Sequence, residues 1–557
     1  MKYSILAETY EKLEKESGKI KKTEILSELI KKIPTDILPQ VILLVSGKIF
    51  PSYSEEKTGI ANQMMIKAIS KSTGISESEI NNKLKDLGDL GLVAEDCIKL
   101  KKQKTLSQKS LTIENVYENI QKLSKIVGTG SQERKLNLIT ELLASAKPKE
   151  ARYIVRTILE TLRIGVAEGI IRDSIAKAFD VDPKIVENAW FLNANYGEIA
   201  KIAKEQGERG LKKVKIQLGK PIMVMLGEKA PTLEKALESY EKPALEYKYD
   251  GLRIQIHKKN DKIWLFTRRL EDVTKQFPDL VEYSKKAIKV KECLVEGETI
   301  GIDPETNRPI PFQELSKRIQ RKYDIEKMVK KIPIQMHLFD VVYVDGKTLF
   351  DEKFENRRKI LENIIKTIPN KFELAKQLVT KDIKKAQKFY EESLKANQEG
   401  LMVKNSQAKY KPGRRVGQWT KVKPVMESLD LVIVSAEWGK GKRSNWLSSF
   451  KIACREPNTG KFLACGKLGT GLKDEQFKEL TKKLEKLIIE SKGTKVRLKP
   501  KIVIEVAYEE IQKSPKYESG FALRFPRLIR FRPDKDIEEV DTKDRINKLY
   551  KQQFIKK

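Results

Sequence analysis

The segment LEYKYDGLRIQIH holds the residue best suited to covalent chemistry. Lys248 stands between apolar strand-forming residues and the turn pair Asp250-Gly251, which puts its amine at the end of a strand. A protonated lysine is a poor nucleophile, and desolvation or neighbouring cations make it useful by lowering its pKa. Candidate cations are Arg253, Arg268, Lys404, Lys421 and Lys423. A strand followed by an Asp-Gly turn is also a routine hairpin, so this string alone leaves both readings open.

Other chemistries find little support. The four cysteines, Cys97, Cys293, Cys454 and Cys465, contain no CxxC spacing, which removes zinc ribbons and suggests packing residues. With only His257 and His337, a histidine-rich metal site or a Ser/His/Asp relay is excluded as well. Catalysis must rest on Lys, Arg, Asp and Glu. The chain has 111 Lys plus Arg against 78 Asp plus Glu, a net charge of +33, which fits either a polyanion partner or a Lys- and Glu-rich surface. No run is long and apolar enough to span a membrane, and the N-terminus lacks a signal-peptide pattern, so an intracellular, cytoplasmic protein is expected.

The elements that must position these residues fall into three regions. Residues 1–218 read as helices. In RYIVRTILETLRIG, Ile154, Ile158, Leu159 and Leu162 share a face, with Arg152, Arg156 and Arg163 off it and Gly165 as the stop. Asp182 is placed as N-cap, with Pro183 at the first helical position. Residues 219–424 alternate short strands with helical stretches near 312–330 and 354–396, an α+β pattern. Residues 425–557 hold short strands and one helix, which suits a small closed β-barrel of OB-fold type or a small sandwich. The tail after Asp536 is either a docked helix or a frayed end.

An ordered series of motifs then gives Lys248 its context: KYDG at 248–251, TRRLEDVTKQFPDL from Thr267, LVEGE ending at Glu298, LFDVVYVDG from Leu338, EGLMVK from Glu399, WTKVK ending at Lys423, and LRFPRLIRFRPDKD from Leu523. In content and order this series resembles the ATP-dependent DNA ligases of the covalent nucleotidyltransferase superfamily, and in length and arrangement the archaeal replicative type. The resemblance implies an all-α DNA-binding domain, an adenylation domain and a C-terminal OB-fold. It implies that ATP is the cofactor, that Lys248 forms lysyl-AMP, and that the AMP passes to the 5′-phosphate of a nick before the 3′-hydroxyl seals the strand.

Carried over onto this sequence, Glu246 faces the adenine, Phe339 stacks on it, and Arg253 lies near the ribose and phosphate. Arg268, Arg415, Lys421 and Lys423 serve the phosphates. Glu298 contacts the ribose or a metal and Glu399 the metal, Mg2+ or alternatively Mn2+, with Glu296 assisting; Arg532, Asp534 and Lys535 orient the pyrophosphate. Outside the resemblance, Phe339 reads as strand core, Glu298 as an exposed strand-end carboxylate, and Lys421 with Lys423 as a solvated pair on one face of an extended segment.

The implied partner is nicked double-stranded DNA, bound through phosphates and backbone amides, with Gly165 and Gly169 allowing close approach. The loop from Gln103 to Ile113 vaguely matches a sliding-clamp peptide, with Leu106 or Leu111 as its apolar residue, and a monomer is expected. Capping enzymes lack so long a helical region ahead of the lysine, and the cysteines of an NAD-dependent ligase are absent. A non-catalytic DNA-binding scaffold is the remaining alternative.

Overall fold

The computed structural model describes residues 1–557 apart from 52, 55, 101–109, 320–323, 414, 425, 440–442, 444, 556 and 557, and the side chains of 415, 416, 554 and 555. The chain divides into two compact units. One comprises Met1–Glu228, Gly251–Ala375 and Asn405–Trp419; the other comprises Lys229–Asp250, Lys376–Lys404 and Thr420–Lys557.

In the first unit, helices run from Tyr3–Lys15 to Tyr196–Lys212. Side-chain caps fix several starts: Ser76, Asp89, Thr112, Asp182 and Asn195 each accept from backbone N–H groups of the first turn. Asp182 with Pro183 opens the helix Pro183–Asn193 as expected. The helix Pro148–Ile158 ends well before Gly165, and Arg156 is not on a polar face. Arg156 is buried because its guanidinium donates to Asp89 (3.0 Å) and Glu14 (3.0 Å), carboxylates from distant helices. A buried charge needs such partners, and these are remote in sequence.

The same unit carries an antiparallel sheet in the order Lys262–Thr267, Leu252–Lys259, Glu292–Ile302, Ile334–Val344, Lys347–Thr348. The short strand Phe372–Leu374 pairs parallel to Ile334–Val344. Alternation gives the strand Leu252–Lys259 two different faces. Ile254 and Ile256 enter a core with Val295, Leu338 and Phe277. Arg253, Gln255 and His257 face the other way and hold the strap 219–225 that follows the helical region. Gly219 N–H donates to His257 Nδ1 (3.3 Å), Gln255 accepts from Ile222 N–H (3.1 Å) and donates to Ile222 O (2.6 Å), and Arg253 Nη1 donates to Met225 O (2.8 Å). At its far end the strap is tied to the helical region by Met223 N–H donating to Phe191 O (2.8 Å).

In the second unit the strand Pro243–Tyr247 lies between the segment 401–404 and the strand Gln377–Val379. The helical stretch expected over 354–396 is two helices, Phe354–Ile364 and Ile383–Lys395, separated by the strands Phe372–Leu374 and Gln377–Val379. Gln377–Val379 is too short for a periodic signal and is secured by pairing antiparallel to Pro243–Tyr247. Beyond residue 428 an antiparallel sheet runs Phe462–Leu468, Leu447–Arg455, Leu429–Trp438, Lys495–Leu498, Ile488–Lys492, with Val503–Ala507 and Arg527–Phe531 added to it. A bridge from Thr470 to Arg527 draws its ends together, as a small barrel requires. Phe450, Ile452 and Cys454 all enter its core, with the helix residues Phe477, Leu480 and Leu484. The tail is a docked helix, Lys543–Ile555: Ile546 and Leu549 join that core, and the Gln553 amide exchanges hydrogen bonds with the Ile511 backbone (2.6 and 2.9 Å).

Candidate active site

Lys248 follows directly on the strand Pro243–Tyr247. Its backbone exchanges hydrogen bonds with a second segment: Lys248 N–H donates to Gly400 O and Glu399 N–H donates to Lys248 O, both 2.8 Å. This reciprocal pair sets the Lys248 and Glu399 side chains together, and they form an ion pair. Gly400 has φ +126°, and a Cβ there would press on the Val422 carbonyl, so the crossing requires glycine. Lys423 Nζ also pairs with Glu399 (2.7 Å), and more loosely with Glu509 (3.8 Å). Burial opposes the charge of Glu399, but Lys248 and Lys423 outweigh it and hold its carboxyl well below the usual range. Lys421 and Lys423 are half-buried while Thr420 and Val422 are buried, the alternation expected of an extended segment.

Two positions before Lys248, Glu246 is buried, paired with Lys404 (2.5 Å) and accepting from the Gln377 amide (2.8 Å). On the other side of the lysine, the Asp250 N–H donates to the Gln398 side chain (3.2 Å). A dense polar frame thus surrounds Lys248 within its own unit.

The remaining sequence candidates of the adenylation region lie in the first unit. Arg253 Nη2 donates to Glu296 Oε2 (2.8 Å), and its guanidinium sits over the rings of Phe339 (5.2 Å) and Trp419 (5.4 Å). Phe339 is buried on its strand and meets the Trp419 ring edge-on. Glu298 is half-buried on the central strand, in register with Arg253 on one side and His337 on the other. Arg268 is exposed in the turn after Lys262–Thr267. Arg415 opens the strand Arg415–Val422, but its side chain is outside the described residues.

In the C-terminal motif, Arg532 Nη1 grips both oxygens of Asp430 (2.9 Å each) and its Nη2 reaches Asp534 (2.8 Å). Lys535 Nζ also donates to Asp430 (2.7 Å). The Arg532 hydrogen bonds lower the Asp534 carboxyl to about 2. Arg524 instead pairs with Glu510 (3.1 Å); burial opposes its charge, but Glu510, with Glu399 and Asp250 adding to it, raises its pKa.

Comparison with known proteins resolves the family. The pattern described as "ATP dependent DNA ligase domain" matches residues 224–423, "DNA ligase N terminus" matches 2–176, and "ATP dependent DNA ligase C terminal region" matches 443–535. A DNA ligase of Nanoarchaeum equitans is 47% identical, with 99% of each chain covered. The chain belongs to the ATP-dependent DNA ligases. A DNA ligase of Thermococcus onnurineus is also 47% identical, covering 99% of this chain and 98% of the relative. A solved structure titled Pmar-Lig_PreS3 shares the fold, with a TM-score of 0.56 at 18% identity over 94% of this chain and 99% of that one. ATP-dependent DNA ligases seal nicks, and this is the enzyme's activity.

Within this ligase, sequence reading found Lys248, Glu399 and Lys423, which the structure brings together, and Arg253 with Phe339, which it stacks. It missed Tyr410, Gln377 and Asp430 as partners of predicted residues. Tyr410 carried a faint signal as the aromatic of KYKPGRR, next to a motif; Asp430, 102 residues before Arg532, carried none. Among the described residues no group of three or more His, Cys, Asp or Glu is arranged to hold a metal. Separate hard carboxylates suit Mg2+, which binds through few protein oxygens and many from water and phosphates.

Proposed function

We propose that Lys248 Nζ attacks the α-phosphate of ATP, so that a P–N bond forms and pyrophosphate leaves. The AMP then passes to the 5′-phosphate of a nick, which frees the lysine. The 3′-hydroxyl finally attacks that phosphate and expels AMP, forming the phosphodiester. The observation that carries this reading is the backbone exchange that fixes Lys248 beside Glu399, with Lys423 on the same carboxylate. A lysine held in an ion pair is not nucleophilic, so the pair must open as the nucleotide enters.

Phosphoryl transfer asks mainly for positioning and for neutralised charge, which is the role assigned to Arg268, Arg415, Lys421 and Lys423. Glu246 reads the adenine, Phe339 stacks on it, Arg253 meets the ribose side, and Arg532, Asp534 and Lys535 orient the leaving group. A divalent cation, Mg2+ or Mn2+, held at Glu298 and Glu399 with Glu296 assisting, would neutralise charge on the phosphates.

The domains run 1–218, 219–424 and 425–557, and the enzyme works as a cytoplasmic monomer; no helix of the described residues is long and apolar enough to cross a membrane. A sliding-clamp contact is assigned to the loop from Gln103 to Ile113. Residues 101–109, including Gln103, Leu106 and Gln108, lie outside the described residues, while Leu111 and Ile113 are buried in the core, so Leu111 is not the apolar residue offered to a clamp.

The decisive experiment incubates the enzyme with α-labelled ATP and Mg2+. Acid-labile label that pyrophosphate removes is expected on the wild type and not on Lys248→Ala; an unlabelled wild type sinks the reading. Affinity for nicked DNA should fall steeply as salt rises, and a flat plot of log K against log salt would remove the electrostatic part.

A further inference from the structure

We propose that Tyr410 is a positioning residue for nucleotide binding that acts through Glu296 on Arg253. This rests on the reading that Arg253 serves the nucleotide. The three side chains and the strap close a ring of hydrogen bonds. Tyr410 Oη accepts from Met225 N–H (3.0 Å) and donates to Glu296 Oε2 (3.0 Å). That same Oε2 accepts from Arg253 Nη2 (2.8 Å), and Arg253 Nη1 returns to Met225 O (2.8 Å). Both backbone groups of Met225 are thereby used, and Tyr410 and Glu296 are 2% and 0% exposed.

The phenol is itself immobilised. Its ring stacks on Phe350 (5.4 Å, 14° between planes) and lies under the Arg357 guanidinium (5.5 Å), which is doubly bonded to Asp340 (2.8 and 2.9 Å). Burial pushes the Tyr410 hydroxyl pKa well above its ordinary value, so the proton it donates to Glu296 stays in place.

Arg253 spends only two of its donors in this ring. Its terminal nitrogens are engaged and its faces are covered by Phe339 and Trp419, whereas Nε is buried with no hydrogen-bond partner among the described residues. Glu296 Oε1 is likewise buried and unpartnered. The ring therefore fixes the directions in which the unspent donors of Arg253, the buried Nε among them, and the unspent Glu296 acceptor point. The hydroxyl of Tyr410 has its donor committed inside the ring, so its influence on a ligand passes through the other two residues.

The test measures lysyl-AMP formation against ATP concentration for the full-length wild type, Tyr410→Phe, Arg253→Lys and the double variant, with a thermal melt of each. Loss of both buried hydrogen bonds of the hydroxyl predicts KM for ATP about tenfold higher in Tyr410→Phe, with kcat within about twofold. In the Arg253→Lys background the same change should add almost nothing, because the residues act in series. Equal KM effects in both backgrounds, or a KM unchanged in Tyr410→Phe while Arg253→Lys raises it, would overturn this proposal alone. A KM unchanged in Arg253→Lys would remove the nucleotide role of Arg253 and the proposal with it. Should Tyr410→Phe melt early, its KM is read well below its melting midpoint, with the same expected rise.

Discussion

The cluster around Lys248 and the ring around Arg253 are both built from arginine or lysine with glutamate, yet they are arranged in opposite ways. At Lys248 two cations meet on the carboxylate Glu399, and all three side chains keep some access to solvent, 22% for Lys248 and 21% for Lys423. At Arg253 one cation meets one carboxylate, Glu296 is fully buried, and a tyrosine and a backbone carbonyl complete the set. The first arrangement is open to solvent, and on the proposed mechanism its lysines exchange their carboxylate partner for a phosphate. The second is neutral and closed, and exchanging anything would leave a charge buried. On the proposed mechanism, the contrast separates groups that change partners during the reaction from groups that hold a shape.

The sharpest way to break this contrast is to delete each glutamate. Glu296→Ala strands the Arg253 guanidinium, and unfolding free energy should fall by about 3–5 kcal/mol in a denaturant titration. Glu399→Gln should cost less than this by the same measure, because Lys248 and Lys423 keep access to solvent. Its effect belongs in the chemistry: lysyl-AMP formation about a hundredfold slower, or about 2.7 kcal/mol in barrier. If the two variants exchanged phenotypes, the division into exchangeable and fixed groups would be wrong.

A smaller effect concerns His257, which lies in the same rigid face as Arg253. Burial lowers its pKa from 6.5 to about 3. The folded value lies below the unfolded one, so the unfolded chain takes the proton first. Stability is therefore complete above about pH 6.5 and is lost as pH falls, by at most about 2 kcal/mol between pH 6.5 and 5. His257→Gln should flatten this part of the melting curve against pH; a slope that survives the substitution would assign it to other groups.

Much of the Lys248 cluster could be read from the sequence because its members sit in short motifs whose residue types are unusual together. The Asp182 cap and the alternation at Lys421 and Lys423 were legible for the same local reason. The fixed parts were not. Arg156 looks like a surface residue until Glu14, 142 positions away, is brought to it. Tyr410 is 114 positions from Glu296, and Asp430 is 102 from Arg532. The strand Gln377–Val379 falls inside a stretch whose local pattern is helical, because only its pairing with Ala244, Leu245 and Glu246 makes it a strand. Local pattern reports what a residue is, while long-range polar pairing decides what it is for.

The strap that lies across Arg253, Gln255 and His257 also sets where this enzyme can be cut. A catalytic fragment freed of the helical region would have to begin no later than Gly219, since each of the three side chains draws a hydrogen bond from 219–225. A fragment starting at residue 226 would keep every residue named in the nucleotide motifs. It would nevertheless leave the Arg253 guanidinium without its carbonyl acceptor and present an unmatched amide and imidazole on a strand that expects company, and it should aggregate where the slightly longer one stays in solution.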